Sequence, residues 1–273
     1  MKRFWLIAVV LTLLVGSPAL AHYQLLYTPL TALERGGEML LKLVFTHPFE
    51  GGHTMDMAPV QEFYVVHQRG EEGEPRKTDL KEHLKQITWT SQGHAGKAYE
   101  ARLPARIVRS MGDYVFVLVP GPYYEPADEE YIQQFTKLML NVGGVPGNWH
   151  QPLGLPAEIV PLDKPYANWT GGIFRGVVMA DGKPVPNAEL EIEYLNYTPD
   201  MEKNAFAGKP KIEAPHPAFE TIGIRANNRG EFAIGLPKAG WWGIAALGVG
   251  ESEFDGKPVA REAVLWVQVT DLP

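Results

Sequence analysis

Short apolar runs, each closed off by glycine, proline, asparagine or aspartate, recur along this chain, and that punctuation restricts it to folds built from strands. The 273 residues include 28 glycines and 23 prolines, which end regular structure and set tight turns. Residues 38–45 (EMLLKLVF) lie between Arg35-Gly36-Gly37 and His47-Pro48 and read as a buried strand; residues 62–67 (EFYVVH), 98–103 and 113–119 (DYVFVLV) read the same way. Further on come 173–179, a turn at 180–184, and 188–194. In the last of these Leu190, Ile192 and Tyr194 alternate with Glu189, Glu191 and Glu193, so one face is buried and the other wet. The turn Asn227-Asn228-Arg229-Gly230 precedes strands at 231–236, 242–247 and 263–269. Short strands at this spacing predict an all-β protein made of antiparallel β-sandwiches.

The stretch 68–97 is charged and glycine-punctuated, with turns and one short helix expected near 80–87. Residues 128–142 fit a helical face through Ile132, Phe135, Leu138 and Met139, and a strand through Ile132, Gln134, Thr136, Leu138 and Leu140; a strand after a polar turn is the reading adopted. Residues 148–165 carry four prolines and serve as a connector with a short strand at 157–160. This divides the chain into two tandem sandwiches, 22–165 and 166–273, with 201–217 a long loop in the second.

Residues 1–21 have the form of a secretory leader: Lys2 and Arg3, an apolar run over 4–15, then Ala19-Leu20-Ala21. The run is shorter than the roughly 20 residues that span a bilayer, so a removable signal peptide and a periplasmic, soluble product without a membrane span are expected. No cysteine is present, which excludes disulfides. Removing 1–21 takes away two of 25 basic residues and none of 32 acidic ones, and 23 − 32 leaves −9. Such a charge disfavours nucleic acid and anionic membranes and suits metal cations.

Cleavage after Ala21 makes His22 the first residue, and its α-amine and ring can then close one chelate ring on a metal. The amine binds only when deprotonated, against a usual pKa of roughly 7.7 to 8.0. His47 ends a strong strand at Pro48; His53 follows the flexible Gly51-Gly52; Glu50 offers a carboxylate. These four form the candidate metal site. Nitrogen donors of this kind suit Ni(II) and Cu(II), and the Irving–Williams order places Cu(II) highest, so ligand type alone does not select the metal. Met55 and Met57 are thioether donors in principle and core fillers by default. His67 reads as core or rim, His83 and His94 as solvated, His150 and His216 as loop residues. No G-x-S-x-G, H-E-x-x-H or phosphate-cradling loop is present, which favours binding over catalysis.

Several segments are similar to one family. They are residues 43–51 (LVFTHPFEG), 120–126 (PGPYYEP), 158–162 (EIVPL), 176–178 with 181–186, and 236–243 (LPKAGWWG). Together they resemble the periplasmic components of bacterial nickel and cobalt uptake, of the CbiK/NikK type, and the likeness spans nearly everything from His22 onward. It implies a non-enzymatic helper that captures Ni2+ or Co2+ for an energy-coupling-factor type importer. It also implies sandwiches of immunoglobulin/transthyretin type, the second like a carboxypeptidase-regulatory domain. The family commonly has a histidine where this chain has Gln134. Two other readings stand beside it: a copper-binding histidine-brace protein or oxidase, and a structural or adhesion module without a site.

Overall fold

The computed structural model describes residues 22–52, 54–126 and 129–273. The expected leader with its cleavage point, and His53, lie outside the described residues. In the first half the chain forms β1 (Tyr23–Tyr27), β2 (Ala32–Leu33), β3 (Met39–Thr46), β4 (Thr54–Met55), β5 (Val60–Gln68), β6 (Arg76–Asp79), β7 (Leu84–Ser91), β8 (His94–Leu103), β9 (Gly112–Pro120), β10 (Tyr123–Glu125) and β11 (Glu130–Val142). In the second half it forms β12 (Ala157–Pro161), β13 (Asn168–Trp169), β14 (Gly172–Ala180), β15 (Lys183–Pro184), β16 (Glu189–Tyr194), β17 (Thr198–Asp200), β18 (Ala205–Ala207), β19 (Thr221–Arg225), β20 (Glu231–Leu236), β21 (Gly240–Phe254) and β22 (Lys257–Thr270).

These strands make three sheets. One orders β1-β3-β8-β7-β18-β17 with β4 beside β3; the largest orders β19-β16-β21-β22-β11-β9-β5-β6 with β10, β13 and β2 attached; the smallest joins β12-β14-β15 with β20. Period-two alternation stacks them, because each strand of the large sheet sends successive side chains to opposite faces. Phe63, Val65, Phe116, Leu118, Leu138, Leu140, Val264 and Trp266 pack with Leu25, Leu41, Leu43 and Trp89 of the first sheet. Tyr64, Val66, Val115, Val117, Met139, Ala263, Leu265 and Val267 pack with Ile159, Phe174, Val178 and Ile234 of the smallest. The large sheet is therefore the middle layer between two cores, and residues 22–165 meet 166–273 edge to edge within it through β11 and β22.

The protein is all-β, as the spacing of apolar runs predicts, and most ladders are antiparallel. The exceptions are β11 with β22, β2 with β11, β13 with β22, and β18 with β7, which pair in parallel. The helix expected near 80–87 is not formed: a single 3-10 turn, Lys81–His83, leads straight into β7. Pairing of β7 with β8 along its whole length buries Trp89 and overrides the local pattern. Residues 130–142 are a strand, with all of Gln134 to Val142 buried. Among the described residues no helix is long and apolar enough to cross a membrane.

Two lysines lie inside this structure and both are paired, as burial of a charge requires. Lys42 Nζ donates to Glu100 Oε2 at 2.7 Å and also to Asn204 Oδ1. Lys137 Nζ donates to Glu158 Oε1 at 2.7 Å, while the Glu158 carboxylate also accepts from the backbone of Leu153 and Gly154. Burial pulls the Lys137 ammonium pKa down from its usual value, against the opposing pull of Glu158.

Candidate metal centre

β1 and β3 are antiparallel with Tyr23 opposite Thr46. Extending that register by one residue sets His22, just before β1, against His47, just after β3. Their ring centroids are 4.5 Å apart with planes tilted by 45°. Two histidines far apart in sequence thus become cross-strand neighbours at one end of a sheet. His47 is buried and His22 half-buried. Phe45 stands 5.5 Å from the His22 ring and Tyr123 at 6.0 Å. Glu125, from β10, brings Oε2 to 3.6 Å from His22 Nδ1. Burial, then the charges of Glu125 and Asp56, push the Tyr123 phenol pKa above its ordinary value.

The backbone that carries the two rings is fixed from several sides. Gln134, buried on β11, accepts from Gln24 N at 2.5 Å and donates through Nε2 to the His22 carbonyl and, at 2.8 Å, to Glu262 Oε2. Beyond His47, Gly51 N donates to the His47 carbonyl at 2.9 Å, Asn196 N to the Pro48 carbonyl at 3.1 Å, and Phe49 N to Glu193 Oε2 at 3.1 Å. Gly51 has φ +58°, and a Cβ there would lie 2.2 Å from the Tyr197 ring, so only glycine closes this turn. Burial pushes Glu193 and Glu262 up to about 7. Thr221 and Phe49 offset part of this at Glu193, and Gln134 does so at Glu262.

Of the four residues singled out from the sequence, the structure brings His22 and His47 together. His53 lies outside the described residues. Glu50 is exposed, its carbonyl accepts from Gln92 Nε2 at 2.8 Å, and its charge bears on Glu193 and Glu220. Met55 and Met57 are buried in the core between the first and middle sheets. His67 stacks on Tyr114, His216 Nδ1 accepts from Ala218 N, and His94 and His150 are exposed. Glu125 is the neighbour that sequence reasoning passed over; it stands within the PGPYYEP segment, where its only signal was the short strand bounded by prolines. Among the described residues no group of three or more His, Cys, Asp or Glu is arranged to hold a metal ion.

The three stacked layers define an all-β sandwich protein. Its family is shown as well: the chain belongs to the family described as a domain of unknown function, DUF4198, which it matches over residues 19–250. No curated protein matches it. Among solved structures it is similar to trypsin-activated alpha-2-macroglobulin from Escherichia coli, at 12% identity and TM-score 0.22, over 93% of this chain and 16% of that one. It is also similar to the D0-D1 domain of intimin, at 9% identity and TM-score 0.21, covering 91% of this chain and 100% of that one. A third is the Yersinia pseudotuberculosis adhesin InvE, at 10% identity and TM-score 0.23, covering 89% and 58%. The chain thus spans about a sixth of the length of the macroglobulin.

Proposed function

We propose that this protein binds a divalent transition-metal ion, Ni2+ or Co2+, as an exported accessory of a metal importer, with His22 and His47 as its central ligands. The observation that carries the reading is the register-matched pair of imidazoles at the end of β1 and β3. Two imidazoles do not complete a site. Removal of the leader supplies a third nitrogen, the α-amine of His22, which closes a chelate ring with Nδ1 of the same residue, the atom that faces Glu125. Glu125 then holds the ring when no metal is bound and offers an oxygen when one is. His53, two residues beyond the Gly51 turn, is a further donor in this reading.

The same reading gives the metal as cargo and the protein as a carrier, not an enzyme. A periplasmic location, and energy-coupling-factor type transporter subunits as partners, go with the leader-like sequence and the family resemblance. The formal charge of −7 over the whole chain favours cations near its surface.

Calorimetric titration with Ni(II), Co(II) and Cu(II) tests this on three forms: the chain beginning at His22, the same chain with one extra residue before it, and His47→Ala. Nickel affinity is expected to fall at least tenfold in both altered forms, and to weaken below about pH 8 as the amine takes up a proton. Nickel affinity unchanged by the added residue removes the chelate; unchanged affinity in His47→Ala removes the pair.

A further inference from the structure

On a different part of the molecule, a cavity of about 420 Å3 opens between the β5–β6 hairpin, the turn at Lys81–His83 and the connector from β8 to β9. Its lining includes Arg76, Arg106 and Arg109 together with His67, His83 and Tyr114. In an acidic protein this gathering of guanidinium groups is unexpected, and their pairing sharpens it. Five of the other described arginines are matched by carboxylates, Arg102 with Glu100, Arg175 with Asp163, Arg225 with Glu189, Arg229 with Glu231 and Arg261 with Asp181, whereas Arg35 and Arg69 stand singly on the surface. Among the described residues, Arg76, Arg106 and Arg109 have no ion-pair partner, although Asp79 and Glu82 line the same cavity. Asp79 Oδ1 accepts from Lys81 N at 2.8 Å and Glu82 Oε1 lies 3.5 Å from His83 Nε2.

The walls are held in place. Arg76 sits opposite His67 in the β5–β6 ladder. The His67 ring stacks on Tyr114 at 4.3 Å between centroids and hydrogen-bonds through Nε2 with the Met111 carbonyl at 3.1 Å. Tyr114 in turn donates to the Ser110 carbonyl at 2.8 Å. Ile107 N donates to the Pro104 carbonyl at 2.9 Å, and buried Val108 pins the turn between Arg106 and Arg109 to the core. Three cationic forks thus surround a preformed floor of ring and aliphatic surface. Guanidinium forks match the paired oxygens of carboxylate and phosphate groups, and the volume is that of a small-molecule site.

We infer that this cavity is a binding site for a small multivalent oxyanion, a polycarboxylate or a phosphoryl compound, held by Arg76, Arg106 and Arg109 over the Tyr114–His67 floor. It stands independently of the histidine pair. Citrate, pyrophosphate and sulfate, titrated calorimetrically into the full chain at constant ionic strength, supply the probes. Citrate or pyrophosphate should bind at one site per chain and sulfate more weakly. Citrate alone identifies carboxylates as the ligand class, pyrophosphate alone phosphoryl groups, and both identify a general multivalent site. The double variant Arg106→Gln/Arg109→Gln should bind at least tenfold more weakly, Glu82→Gln severalfold more tightly, and Arg69→Gln, an exposed arginine outside the lining, as the parent does. All four side chains are exposed, and unchanged melting temperatures will show that the fold is retained. The inference is overturned by any of three results: neither citrate nor pyrophosphate binding, binding undiminished in the double variant, or an equal loss in Arg69→Gln.

Discussion

Replacing Glu262 by glutamine should make the protein more stable in mild alkali, although it alters a buried hydrogen-bonded residue. Burial raises the Glu262 pKa from 4.5 to about 7. Between those values the folded chain keeps a proton that the unfolded chain has released, so stability falls as pH rises through that window. The contribution is complete below about pH 4.5 and lost above about pH 7. A gap of that size, at about 1.4 kcal/mol for each pH unit, amounts to roughly 3 kcal/mol. Glutamine at 262 still offers an oxygen to Gln134 Nε2, which now donates to Glu262 at 2.8 Å, so the anchor of β1 survives while the charge is gone. In urea, with a denaturant slope of about 3 kcal/mol/M, the midpoint at pH 8 should rise by about 1 M over the parent. At pH 4.5 the two should nearly coincide. The fall in stability with pH that remains in the variant then belongs to Glu193, with Glu191 and Glu220, whose pKa values are raised in the same direction. A Glu262→Gln midpoint at pH 8 equal to or below the parent's would refute the reasoning, because it would mean that the carboxylate is not penalised by its surroundings.

Two further substitutions probe the packing and the site. At Gly243 an added Cβ would come within 2.9 Å of both Trp266 Cη2 and Tyr23 Cδ1, so Gly243→Ala should cost about 1–3 kcal/mol, read as a lower melting temperature; an unchanged melt would show that these rings yield freely. Gln134→Ala leaves Gln24 N and the Glu262 carboxyl without their partner, which should cost about 1–3 kcal/mol. It should also weaken nickel binding by releasing the His22 carbonyl; nickel affinity equal to the parent's would show that Gln134 has no part in positioning that histidine.

Strand positions were legible where one chain segment carries its own signal. The alternation of Leu190, Ile192 and Tyr194 with glutamates marks β16, and residues 38–45 and 113–119 announce β3 and β9 by continuous burial. What failed was set by strand pairing and not by a segment's own pattern. Residues 80–87 carry a helix-like pattern that pairing with β8 overrules. The outer arms of β21 and β22 extend well past the predicted ends because Glu251 to Phe254 pair with Lys257 to Ala260 across a tight turn, and polar arms give no hydrophobic signal. The parallel contact of β11 with β22 joins residues more than a hundred positions apart. For the site, His22 and His47 were visible as residue types at a terminus and a strand end, but only the register of β1 with β3 makes them neighbours. Glu125 was hidden in a strand of three residues. The arginine cavity was hidden because Arg76 begins β6 while Arg106 and Arg109 lie on the connection from β8 to β9, and only the folded chain brings them together.

The middle sheet makes this protein hard to cut in two. Ending the chain at 165 would strip the greasy underside of β5, β9 and β11 of all its cover but β12, while starting it at 166 would leave β22 without the neighbour that shields its backbone edge. Either fragment should clump instead of behaving as a module, so the smallest piece worth expressing is one that keeps all three layers.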